Sequence, residues 1–133
     1  MPPYVVSDLN SLEYNSYFQH YIDLGAEYNL LEGFQLSHKS CLEFLNSIPE
    51  EHYEYRYAKD KWSIKEIIQH LIDTEMIFIY RALRISRGDK TSLPGFDENQ
   101  YAKASMANNK SKTKLLEDLK TLRNQTIALF SGF

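Results

Sequence analysis

One cysteine, four prolines and five glycines are all that the 133 residues hold of the types that staple, kink or loosen a chain. The lone Cys41 excludes an internal disulfide and fits a reducing compartment, where the thiol serves as a small buried hydrophobe. Positive charge is not in surplus. Fifteen Lys and Arg stand against 18 Asp and Glu, for a net charge of −3, which argues against a nucleic-acid partner held by phosphate contacts. No apolar run approaches the roughly 20 residues that cross a bilayer. The opening "MPPYVVSDLN" has neither the basic start nor the apolar centre of a secretory leader. These absences lead to the expectation of a soluble, cytoplasmic protein with no membrane partner. Missing as well are G-x-x-x-x-G-K-[ST], G-x-G-x-x-G, G-x-S-x-G and H-E-x-x-H, and with them the chemistries those spacings support.

What is present is ordinary globular composition, 43% hydrophobic and 25% charged, in a length suited to one domain, residues 1–133. Ten tyrosines, several between Tyr14 and Tyr57, offer apolar faces with polar tips. Apolar residues recur at spacings of three and four, and strand alternation is nearly absent. Residues 1–12 read as an irregular lead-in, with Pro2 and Pro3 opposing helix. From about Asn15 to Ser47 the pattern is one long helix, or a short one and a long one broken near Gly25, ended by Pro49. "PEEHYEYRYAKDK" reads as a polar connection. Ser63 and Glu66 form an S-x-x-E capping box, and Trp62 is placed to staple onto Ile67. That helix runs to about Arg87, where Gly88 stops it. "GDKTSLPGFDENQYA" reads as a long loop anchored by Leu93, Pro94 and Phe96, and a last helix covers about Ser111 to Phe130. Three long amphipathic helices imply an all-α, antiparallel helical bundle.

Laid out at 100° per residue with His70 at zero, the Ser63 helix carries Ile67, Phe78, Leu71, Ile64, Ile68, Ile79, Ile72 and Leu83 over roughly 60° to 220°. That arc is the expected core face. Asp73, Thr74, Arg81 and Arg84 gather near His70 in a polar stripe at its rim. Two readings of His70 stand open. In one it is a surface or capping histidine; in the other it is a metal ligand, with Asp73 as a second ligand or as the carboxylate that fixes the imidazole tautomer. Glu75 falls inside the apolar arc, where an unpaired carboxylate is costly, so it reads as a buried pair with an arginine, Arg123 being a candidate, or as a catalytic carboxylate with a raised pKa. Arg81, Arg84 and Arg87 read as a solvated helix face or as an anion contact. His20, His38 and His52 read as surface or packing groups.

The order of these features is more specific than any one of them. "KWSIKEIIQHLIDTE" matches W-S-x-x-E-x-x-x-H-L-x-D, and together with "YRALRISRGD", "LPGFDENQYA" and "LLEDLKTLRNQTIALF" it resembles the DinB-like (YfiT-like) superfamily over roughly residues 10–130. The resemblance implies a four-helix bundle in which three histidines hold a divalent metal, commonly zinc or nickel. It places the first ligand at His70 and the other two in an H-x-x-x-H pair on a fourth helix. No H-x-x-x-H occurs in the 133 residues, so the expectation is three of the four helices and an incomplete metal site. The implied activities are metal-dependent hydrolysis and thiol-dependent S-transfer, with a small-molecule or thiol substrate. A different class of function also follows from a missing helix: a metal-free interaction module whose open apolar face makes a homodimer.

Overall fold

Short polar side chains set four of the helix starts in the computed structural model, which describes residues 4–133; Pro2 and Pro3 lie outside the described residues. Asn29 opens α2 (Leu30–Ser47), its Oδ1 accepting from the Glu32 N–H at 3.1 Å. Ser63 opens α3 (Ile64–Ser86), and its Oγ accepts from the Glu66 N–H at 3.2 Å while Glu66 Oε2 accepts from the Ser63 N–H at 2.8 Å. Asp97 and Ser111 do the same for α4 (Glu98–Ala104) and α5 (Lys112–Ser131). Each cap satisfies amide groups that the first turn leaves without a partner. A short α1 (Gln19–Leu24) precedes them, so the break near Gly25 is real. Gly88, at φ 74°, ends α3 in the left-handed region that glycine enters without strain.

The described residues are all-helical, as the periodicity requires. Contacts along the helices fix their directions. Lys112 at the start of α5 donates to the Asn46 and Ile48 carbonyls at the end of α2, while Arg123 donates to the Phe34 carbonyl near the start of α2. These two helices are antiparallel. The α3 helix starts where α2 ends, because Tyr53 donates to the Leu45 carbonyl at 2.7 Å and accepts from the Lys65 N–H at 3.0 Å. α5, however, meets α3 in the same direction, with Asn108 and Lys110 near its start and Arg123 at Glu75. The antiparallel expectation therefore holds for the direction of α2 relative to α5, on which it packs, and to α3, while α3 and α5 pack together in parallel. A connection over residues 87–111 makes this possible by returning the chain along α3.

That connection is not the plain loop the sequence suggested. It carries α4, seven residues long and packed on α3 through the buried Ala102. Seven residues are too few for a helical period to stand out, and only the Asp97 cap marks the element.

Leu45, Tyr53, Ile68, Ile72, Leu115, Leu119 and Leu122 form the core, with Cys41, Ile64 and Ile79 against it. Tyr53 was hidden in the "polar" connection; its ring is fully buried and its hydroxyl is satisfied. The core face of α3 is also narrower than its apolar arc. Ile68 and Ile72 are buried, but Ile67 and Leu71 remain 41% exposed and Phe78 57%. The physical reason is that α5 packs along one flank of the arc, while the Ile67, Leu71 and Phe78 flank stays open to solvent.

Candidate functional site

His70 stands on α3 at the rim of an apolar cleft of about 320 Å³, lined by Phe34, Leu71, Phe78 and Phe130 along with Thr74 and Glu75. The helix period puts it there: it falls one residue before Leu71 and two after the buried Ile68. The Trp62 ring lies on the imidazole, with centroids 4.8 Å apart. Thr74 Oγ1, one turn on, is 3.5 Å from Nδ1, at the edge of hydrogen-bonding range. Among the described residues no carboxylate or carbonyl bonds this ring.

Asp73 is not joined to His70. It turns to the opposite flank of α3, where its Oδ1 accepts from Gln69 Nε2 at 2.8 Å. Arg81 and Arg84 fasten the segment that follows α3. Arg81 donates to the Pro94 carbonyl at 2.9 Å, and Arg84 donates to Asp89 at 2.6 Å and to the Tyr80 hydroxyl at 2.8 Å. The hydroxyl and N–H of Thr91, together with Arg84, hold the Asp89 carboxyl down to about 2. Both guanidinium groups are thus already committed to the fold.

Behind the cleft lies the pair expected from the sequence. Arg123 grips Glu75 with two bonds, of 2.7 and 2.9 Å, and Thr126 adds a third to the same carboxylate at 2.6 Å. Burial alone would raise the Glu75 carboxyl, but the bonds from Arg123 and Thr126 outweigh it and hold it below its ordinary value. Arg123 also donates to the Phe34 carbonyl and to Ser37 Oγ, each at 3.0 Å, and so ties α2, α3 and α5 at one point. His38 and Cys41 sit within reach of this charge pair. The His38 Nε2 is buried without a hydrogen-bond partner, and burial, followed by the charge of Arg123, lowers its proton affinity. Burial pushes the Cys41 thiol up.

These groups do not assemble into a metal centre by themselves. Among the described residues no group of three or more His, Cys, Asp and Glu is placed to hold an ion. Glu75 is occupied by Arg123, His38 lies on another helix, and a single imidazole is one ligand of the three or four an ion needs. His20 and His52 are exposed.

Sequence reasoning missed the partners that come from far along the chain. Asn108 donates to Glu66 Oε1 at 3.1 Å and accepts from Ser63 Oγ at 2.7 Å, so the capping box of α3 is also a tertiary joint. Lys110 donates to Gln69 Oε1 at 2.5 Å. Gln69 gave a usable signal, being an amide beside the apolar arc, but no local rule identifies its partner.

A family model described as DinB superfamily matches residues 34–133, from the second turn of α2 to the end of the chain. No curated protein and no solved structure matches the chain.

Proposed function

Because the chain belongs to the DinB superfamily, we propose that it is the helical core of a divalent-metal-binding bundle in which His70 supplies one ligand. The remaining donors are not gathered around His70 within the described residues of one chain. The observation that carries this reading is the isolation of His70. Its imidazole is held against Trp62 at the mouth of an apolar cleft, with only the 3.5 Å contact to Thr74 nearby. A histidine so placed has ring nitrogens that no strong hydrogen bond occupies, open to an ion. Zinc or nickel is the metal that the resemblance favours, and when bound it acts as a Lewis acid on water or a thiol, the chemistry of hydrolysis or S-transfer. Asp73 takes no part in the ligand set because it faces the other flank of α3, and Arg81 and Arg84 are cations with no lone pair to offer an ion.

A second reading rests on a different observation. Ile67, Leu71 and Phe78 present an apolar stripe beside the cleft, and a metal-free module covers that stripe with a second copy of itself. One experiment separates the two: elemental analysis of protein purified without a metal-affinity tag, with its mass in solution measured before and after EDTA. Near-stoichiometric zinc or nickel that is lost in His70→Ala supports the metal reading. A metal-free dimer that survives EDTA and dissociates in Phe78→Lys retires it in favour of the second.

A further inference from the structure

The flank of α3 opposite His70 holds a second pocket, an open one of about 410 Å³, bordered on its far side by Tyr101 and Ala104 of α4. Its floor is the carboxamide of Gln69, only 7% exposed and bonded at both ends. Lys110 donates to its Oε1 at 2.5 Å, and its Nε2 donates to Asp73 Oδ1 at 2.8 Å. The amide therefore holds an ammonium and a carboxylate at a fixed separation on one pocket wall. Since both bond the same carboxamide, they lie no more than about 8 Å apart. Each keeps capacity to spare, the ammonium having three donors and the carboxylate two oxygens. Met76, Ile77 and Tyr101 supply the apolar remainder of the lining.

The return of the chain to this place is not accidental packing of a loose loop. Met106 adopts φ 52°, a left-handed conformation unfavourable for a non-glycine residue. That turn redirects the chain from α4 toward Asn108 and Lys110, whose side chains then reach Glu66 and Gln69.

The geometry points to a binding site for a small zwitterion, an α-amino acid with an apolar side chain. The ligand carboxylate meets Lys110, its ammonium meets Asp73, and its side chain lies on Met76 and Ile77. The charged centres of an α-amino acid are about 3 Å apart, and one hydrogen bond of about 2.8 Å at each end spans the separation that Gln69 imposes. A ligand with one charge satisfies only one end and leaves the other facing an apolar body. The site is independent of the metal reading, because it uses none of the residues of the His70 cleft.

The test uses the whole chain and three probes: L-leucine, N-acetyl-L-leucine without the ammonium, and L-leucinamide without the carboxylate. Binding is followed by calorimetry and by backbone amide shifts up to about 10 mM, where a millimolar site still approaches saturation. The expected result is saturable leucine binding, with shifts centred on residues 69–77 and 101–110, and at least tenfold weaker binding of each analogue. Asp73→Asn, which preserves an acceptor for Gln69, is expected to weaken leucine at least tenfold while leaving the unfolding midpoint close to that of the parent. If all three probes bind alike, or if leucine, methionine and phenylalanine all give no saturable shift in folded protein, the proposal is overturned.

Discussion

Glu75 and Arg123, 48 residues apart in sequence, close the α3–α5 interface with a two-bond carboxylate–guanidinium contact at 2.7 and 2.9 Å. Arg123 makes the same tie to α2, through Phe34 and Ser37. Both side chains are largely buried, with 14% and 18% of their surface exposed, and each leaves an unsatisfied charge when the other is removed. Arg123→Met and Glu75→Gln are each expected to lower unfolding stability by about 3 kcal/mol. Thr126→Val, which removes one bond to the same carboxylate, is expected to lower it by about 1 kcal/mol. Urea unfolding curves of the three variants check the order, and an effect of Thr126→Val as large as that of Arg123→Met would refute it.

Acid should act on this cluster in two stages. Burial, with Arg123 and Lys120 behind it and Glu75 opposing, keeps folded His38 neutral to lower pH than the unfolded chain, which takes up its proton near 6.5. Below that value the unfolded state binds more protons, so stability falls. Glu75 has a depressed value, so its contribution is complete above its ordinary 4.5 and is lost as pH falls further. Replacing His38 by Gln is expected to flatten the stability profile between about pH 7 and 5 while the loss below about pH 4.5 persists. An unchanged upper stage would show that His38 does not carry it.

The Cys41 thiol is half-buried and pushed up by that burial, so the reactive thiolate is scarce at neutral pH. Iodoacetamide is expected to modify it at least tenfold more slowly in folded protein than in urea. Equal rates would mean that the α2–α5 seam opens readily.

Ser63 is wholly buried and serves two joints at once, accepting from the Glu66 N–H and donating to Asn108. Ser63→Ala is expected to cost about 2 kcal/mol, the upper end for an N-cap, because Asn108 also loses a partner. Asn108→Ala leaves the cap itself intact and should cost less. Thermal melts of both variants test the ranking.

The three long helices were legible from the chain. Apolar spacing, the Ser63–Glu66 box and Gly88 depend on neighbours within four residues, and such signals survive without a tertiary context. The Glu75–Arg123 pair was legible for a related reason: a carboxylate inside an apolar arc has to find a cation, and the last helix offered one. The family resemblance followed from the same local run around His70, and the DinB superfamily match bears it out.

Other features were settled only by how the helices meet. That α3 and α5 run parallel depends on where the 87–111 segment docks, and its anchors, Asn108 on Ser63 and Lys110 on Gln69, are more than 40 residues from their partners. Which half of the α3 apolar arc is buried depends on which neighbour covers it, so Ile68 and Ile72 lie in the core while Leu71 and Phe78 line an open cleft. His70 and Asp73 share one turn of sequence yet face different pockets, because three helical steps leave them about 60° apart and a different segment packs on each flank. Sequence determines that local geometry; only tertiary packing decides what each side chain meets.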